Sequence, residues 1–159
     1  MWIYKNKEIY STEDMPDNAI GFVYEITFTD GSKYIGKKNL YSERTLAPLK
    51  SGKPREGHIC FTFKIKNKRK VDYEVVKTES DWKKYKGSHK DCKNKEPMIK
   101  KIIAFAYNKL ELTYLEAKAL FVYEVLEKSE YINDNILGSF YRSNLYARKR
   151  TNSSQSNTC

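Results

Sequence analysis

Histidine, cysteine and proline are scarce in this chain, with two, three and four residues among 159. Cys60, Cys92 and Cys159 are widely spaced and form no Cys-x-x-Cys pair, which argues against a zinc knuckle or a disulfide framework. They read as free thiols in a reducing cytoplasm. His58 and His89 stand alone, and an isolated histidine is more often neither ligand nor base. No apolar run approaches the roughly 20 residues of a membrane span, and MWIYKNKEIY is too charged for a signal peptide. A soluble, cytoplasmic protein is expected. Acidic residues are outnumbered, 20 against 30 Lys and Arg, so the formal charge is +10. That excess points to a polyanionic partner, most simply nucleic acid, against the plainer reading of a basic surface that binds nothing.

What the chain has in quantity is aromatic residues, 13 Tyr and 7 Phe, within a hydrophobic content of 40%. One folded domain with a modest core is the natural expectation, and no internal repeat is evident. The stretch GFVYEITFTDGSKYIG, Gly21 to Gly36, reads as a β-hairpin. Phe22 to Phe28 are strand formers, Thr29-Asp30-Gly31 is a turn, and Tyr34-Ile35 resumes the strand chemistry. Two registers compete. A two-residue Asp30-Gly31 turn would pair Thr29 with Ser32 and set Tyr24 and Tyr34 on opposite faces. A three-residue loop, with Gly31 left-handed, would pair Phe28 with Ser32 and set Tyr24 opposite Gly36, so both phenols share one face. We favour the second, because it joins two phenols and a position without a side chain in one shallow site.

That arrangement resembles the GIY-YIG nuclease family, whose signature is two tyrosines on adjacent strands. Phe22-Val23-Tyr24 stands where the family has Gly-Ile-Tyr, and Tyr34-Ile35-Gly36 matches the second half. The resemblance implies an α/β fold in which a central three-stranded antiparallel sheet is flanked by helices, with an extra β-hairpin insertion here. It covers roughly residues 21–138. Residues 1–20 then form an N-terminal strand or hairpin extension over the back of the sheet, and 139–159 a basic segment with a disordered tail. No second domain is expected.

The resemblance also implies an activity: metal-dependent hydrolysis of phosphodiester bonds in double-stranded DNA, with one Mg²⁺ or Mn²⁺ as cofactor. Tyr24 would be general base, its pKa lowered by Lys37, Lys38 or Arg44. Tyr34 would position water or phosphate, and Arg44, on a short helix, would meet the scissile phosphate. Lys37 and Lys38 are alternative phosphate ligands, and a plain surface role for Arg44 stays open. Glu116 would hold the metal from a helix after the third strand, and Asn135, in preference to Asn133, would orient its neighbours. Against this, Thr113 and Glu116 spell a capping box at the start of a helix from Tyr114 to about Glu127, so Glu116 also reads as a cap. Leu115, Ala119, Val122 and Leu126 make that helix's apolar stripe.

Three further stretches carry expectations. Residues 60–77 read as an inserted hairpin whose tip, Asn67 to Lys70, brings Lys68, Arg69 and Lys70 to DNA. Its plainer reading is a solvated turn that protects an edge. Ser80 to Cys92 reads as a helix beginning at Ser80, with Trp82 and Tyr85 paired. Its W-x-x-Y-x-G-S run resembles phage-encoded members of the family, and a phage-encoded, homing-like enzyme is the expectation. Trp82 and His89 join the DNA-contact candidates, although a Trp/Tyr pair equally serves core packing. Ile99 to Tyr107 reads as a buried third strand, and Arg142, Arg148, Lys149 and Arg150 as a basic segment. The same fold binding DNA without cutting it is the competing function, and the sequence assigns no oligomeric state.

Overall fold

The structure, a computed structural model, describes residues 1–145. Along the chain run β1 (Trp2–Tyr4), β2 (Lys7–Ile9), β3 (Gly21–Phe28), β4 (Lys33–Asn39), β5 (Tyr41–Leu46), β6 (His58–Lys66) and β7 (Arg69–Glu79). Then come β8 (Pro97–Ala106), helix α1 (Lys109–Val122), β9 (Asn135–Ile136) and β10 (Phe140–Tyr141). The chain divides into two compact units, Asn39–Trp82 forming the second and the flanking segments the first.

The first unit is built on a five-stranded mixed sheet in the order β2-β1-β8-β3-β4. The expected three-stranded antiparallel sheet corresponds to its β8-β3-β4 part. β1 and β2 form a hairpin around Lys5 and Asn6, both at positive φ (47° and 66°). β1 pairs parallel with β8 at Ile3 and Lys101, so the N-terminal hairpin lengthens the sheet instead of backing it. Trp2 supplies the reason. It is buried, with its ring edge-on to Phe22 and Tyr24 at 5.0 and 5.3 Å.

One face of β3 is wholly apolar, with Phe22, Tyr24, Ile26 and Phe28, while the other carries Val23 beside the half-buried Glu25 and Thr27. Phe22, Val23, Tyr24, Ile26 and Phe28 are all buried. The turn closes as favoured: the Phe28 N–H donates to Ser32 O (2.8 Å) and the Gly31 N–H to Phe28 O (3.0 Å). Gly31 sits at φ +83°, a left-handed conformation open to glycine without strain. On the other side of β3 the pairing with β8 shifts between Val23–Ala104 and Tyr24–Ile102, a bulge beside Tyr24.

α1 packs Leu112, Ala119 and Leu120 into a core with Val23 and Ile35. It begins at Lys109, not at Tyr114. Asn108 is its cap, accepting from Glu111 N–H (2.8 Å), while Glu111 reaches back to Tyr107 N–H (2.7 Å). Asn-Lys-Leu-Glu and Thr-Tyr-Leu-Glu thus offer the same signal in two phases, and burial of Leu112 selects the earlier. The helix stops at Val122. Glu124 at φ 55° donates to Phe121 O, and Val125 N–H to Leu120 O, a Schellman ending made without glycine. Val122 is therefore exposed, and Leu126 is buried from beyond the helix.

No α-helix forms over Ser80 to Cys92. That stretch is a turn followed by extended chain and a short 3₁₀ turn, Lys90–Cys92. The few residues between Ser80 and Gly87 are too short a run to repay helix nucleation. The expected flanking helices reduce to one main helix. Arg142, expected in the basic segment, is half-buried and donates to the carbonyls of Val125, Lys128 and Tyr131. Arg148, Lys149 and Arg150 lie outside the described residues.

The second unit is a three-stranded antiparallel sheet, β5-β7-β6. The β6–β7 hairpin turns at Asn67 and Lys68, both at positive φ (50° and 59°), the pattern of a two-residue hairpin loop. β5 is the addition that sequence reading missed. Arg44 lies on it opposite Val76, exposed, so no helix carries this arginine. Tyr41 to Leu46 gain strand pairing with β7, which a helix there would forgo. Trp82 is buried and its indole N–H donates to Glu79 (2.7 Å).

Glu74 is fully buried in this unit and accepts from Arg55 N–H (2.6 Å), from the Arg55 guanidinium and from His58 Nδ1 (3.1 Å). These partners, the Arg55 N–H first, hold its carboxyl below the ordinary value of 4.5. A depressed pKa stabilises the fold above the unfolded-state value and ceases to do so as pH falls through the folded one. Urea midpoints from tryptophan fluorescence at about pH 7 and about pH 4 should therefore differ more for the parent than for Glu74→Gln. Equal differences would remove Glu74 from the acid response.

Candidate active site

The hairpin register places Tyr24 and Tyr34 on one face of the first unit's sheet, with ring centroids 6.2 Å apart. Gly36 lies over Tyr24. A Cβ on Gly36 would fall 2.7 Å from Tyr24 Oη and 3.1 Å from Tyr34 Cε1. The strand can cross the two phenols here only because this position carries no side chain. Around Tyr24 stand Trp2, Phe22 and Tyr85, the last at 5.8 Å.

This enclosure decides the electrostatics of Tyr24. Its hydroxyl is buried without a well-formed hydrogen bond among the described residues. Burial pushes its pKa far up, and the neighbouring Tyr85 and Tyr34 phenols push the same way. The expected lowering by cations does not occur. Lys37 is engaged by Glu116, and the Lys38 ammonium lies 3.9 Å above the Tyr85 ring. Tyr34 is less enclosed. Burial takes it up to about 12, partly offset by the hydroxyl of Ser88 at 2.8 Å.

Glu116 comes from the other side. It lies two turns into α1, past the Asn108 cap, so the capping role is filled by other residues. Its carboxylate pairs with Lys37 Nζ at 2.9 Å, and the same ammonium donates to Thr113 Oγ1 (2.9 Å). Ile35 and Lys37 face the helix while Tyr34 and Gly36 face away, by strand alternation. The two sets meet at β4 because it is the sheet's edge strand. A cleft of about 210 Å³ opens there, lined among others by Tyr34, His89, Glu116, Asn133 and Asn135.

Asn133, the asparagine that sequence reading ranked behind Asn135, is the one tied to β4. It is buried, accepts from Ile35 N–H (3.0 Å) and donates to Ile35 O (2.8 Å). Its side chain thus continues the pairing begun by Lys33 N–H to Glu130 O and Ile132 N–H to Lys33 O. Asn135 is half-buried, bonded to Asp134 and to the Gly138 N–H. The only sequence signal was the Asn-Asp-Asn run, in which either asparagine would serve. His89, expected to touch DNA, stands in the cleft wall, its Nε2 3.7 Å from Asp134 Oδ2 and its ring 6.3 Å from Tyr34. Arg44, Lys68, Arg69, Lys70 and Trp82 belong to the second unit.

Among the described residues no three His, Cys, Asp or Glu side chains converge on a point. The cleft offers two carboxylates, the half-buried Glu116 and the exposed Asp134, with amide and hydroxyl oxygens nearby. Oxygen donors of this kind suit a hard cation that keeps most of its water and takes further ligands from phosphate.

A family model described as "Putative endonuclease segE, GIY-YIG domain" matches residues 2–136. The chain belongs to the SegE GIY-YIG domain family. No curated protein and no solved structure matches it. The range that defines this SegE-type domain begins with Trp2 and ends at Ile136, so it takes in the N-terminal hairpin and Asn39–Trp82. Membership identifies it as an endonuclease-type domain, for which DNA is the substrate class. No described helix is long and apolar enough to cross a membrane.

The crowding at Gly36 is directly testable in this GIY-YIG domain. Gly36→Ala should cost about 1–3 kcal/mol in urea unfolding, as overpacking does. Adding Tyr24→Phe removes the nearest atom and should restore part of that loss in a double-mutant cycle. Strict additivity would show that the two positions do not meet.

Proposed function

We propose that this chain hydrolyses phosphodiester bonds in double-stranded DNA, with Mg²⁺ or Mn²⁺ as cofactor, at the edge of β4. The observation that carries the reading is Glu116: a half-buried carboxylate, freed from capping, held by Lys37 in the cleft that Tyr34 lines. A divalent cation bound there would neutralise phosphate charge and stabilise the leaving 3′ oxygen. Glu116 is its ligand in this proposal, with Asn135 orienting neighbouring groups.

Lys37 holds Glu116 in place and supplies positive charge beside the phosphate. Tyr34, tied to Ser88, positions water or phosphate. Tyr24 differs from the sequence expectation: a phenol with its pKa driven upward keeps its proton, so in this conformation it serves as a hydrogen-bond donor and not as a base. Its unsatisfied buried hydroxyl is suited to an incoming acceptor. Arg44 and Lys38 are the further candidates for stabilising transition-state charge. His89, with Lys68 and Arg69, is assigned to DNA contact, whereas Trp82, fully buried with its indole N–H on Glu79, is assigned to the fold. The W-x-x-Y-x-G-S run supports a phage-encoded member, and a homing-like role is proposed with it.

The burial of Tyr24 favours one alternative, a domain that binds DNA without cutting it. Plasmid nicking with and without Mg²⁺ separates the two. Glu116→Gln should leave the thermal midpoint nearly unchanged, retain DNA binding and abolish metal-dependent nicking. Tyr24→Phe should share the loss of nicking, with stability equal or slightly higher because an unpaired hydroxyl is removed. Nicking by Glu116→Gln at the parent rate would end the assignment of Glu116, and a parent that shifts DNA but never nicks it would establish the binding domain.

A further inference from the structure

The second unit has two faces of opposite character, and the strand register assigns each side chain to one of them. Residues directly opposite in an antiparallel pair share a face. Thr62 opposite Tyr73, Lys64 opposite Val71 and Lys66 opposite Arg69 define one side of the β6–β7 ribbon. Phe61 opposite Glu74, Phe63 opposite Asp72 and Ile65 opposite Lys70 define the other. The cations at the hairpin tip are therefore split, with Arg69 joining Lys64 and Lys66 while Lys70 faces the reverse.

Their partners differ as well. Lys70 lies 4.7 Å from the Phe63 ring centroid and 3.7 Å from Asp72 Oδ1, so its charge is already met. Lys64, Lys66 and Arg69 are exposed and have no acidic partner among the described residues. Lys64 rests over Tyr73 at 5.6 Å, which aligns it with its own face. β5 pairs with β7 only as far as Leu46 and Glu74, so the ribbon from Thr62 to Tyr73 runs beyond it as two strands. Along such a ribbon, side chains two residues apart are about 6.8 Å from each other, roughly two base-pair steps of one DNA strand. Cations at that interval on a narrow ribbon suit a sugar-phosphate backbone.

We propose that the ribbon face bearing Lys64, Lys66 and Arg69 binds the backbone of duplex DNA, and that Lys70 on the reverse face takes no part. The proposal rests on the duplex substrate inferred above, but it concerns binding and not cleavage. Fluorescence anisotropy on a labelled DNA duplex, in the Glu116→Gln background across a salt series, tests it. The triple variant Lys64→Ala, Lys66→Ala, Arg69→Ala should bind at least about tenfold more weakly at low salt. Its log–log salt slope should flatten by up to about 0.9 per lost contact. Lys70→Ala should leave both nearly unchanged. All four positions are exposed, and equal melting curves for the variants confirm that folding is intact.

An unchanged affinity and slope in the triple variant would overturn the face assignment, as would a loss in Lys70→Ala matching the average loss per residue of the triple. Tighter binding of an RNA duplex of the same length would overturn the choice of DNA. Parent nicking activity is scored separately. A parent that binds through this face without nicking sinks the enzyme reading alone. A parent that nicks, beside a triple variant that binds normally, sinks only this surface.

Discussion

Phe28 closes a three-residue loop onto Ser32 with Gly31 in the left-handed region, and that closure fixes the pairing of β3 with β4. Because side chains alternate along a strand, one residue of slip would move Tyr34 to the helix side and Ile35 away from the core. The register therefore sets three things together. It puts both phenols on one face, brings Gly36 over Tyr24, and leaves Ile35 and Lys37 facing α1. Core and site depend on the same turn, since Ile35 belongs to the cluster that buries Leu112 and Leu120.

The sheet edge is where these two faces reach each other. An edge strand leaves backbone groups unpaired, and Asn133 answers both groups of Ile35 with a single amide side chain. Beyond that point the edge is held by Lys37 and Glu116 instead. Such a partly exposed ion pair is worth about 1 kcal/mol or less to stability. Its consequence is positional: a carboxylate and an ammonium are kept beside Tyr34 without much cost in fold. Tyr24 shows the opposite balance, a polar group buried at a cost of order 1–3 kcal/mol if left unsatisfied.

The second unit follows a separate logic. Its strands are short of apolar residues that can be buried, and Phe61, Phe63 and Ile65 remain exposed. What it buries at its centre is a carboxylate, Glu74, satisfied by Arg55 and His58. The incoming loop is thus tied to β7 by directional, charge-assisted bonds more than by area. The ribbon beyond it keeps both faces open, one apolar and one cationic.

Much of the hairpin was legible in the sequence because its determinants are local. The Thr29-Asp30-Gly31 loop, the alternation of Tyr34, Ile35 and Gly36, and the strand formers of β3 act within a few residues of one another. The same holds for β1–β2 around Asn6, for the β6–β7 hairpin and for β8. What failed were choices between equal local signals and choices made at long range. Asn108 and Thr113 both cap plausibly, and only the burial of Leu112 against Val23 and Ile35 selects Asn108. Ser80 begins a good helix on paper, but the run is too short to nucleate. Arg44 has no local reason to be extended, and β7 provides one. Local signals could not separate Asn133 from Asn135, and only the fold shows that the first meets Ile35 while the second joins Asp134 and Gly138. The pKa of Tyr24 is the sharpest case. Sequence placed cations near it in number, whereas the folded chain turns those cations toward Glu116 and Tyr85 and encloses the phenol in aromatic rings. Local chemistry named the groups; desolvation and partner choice, which exist only once distant segments have packed, decided what each of them can do.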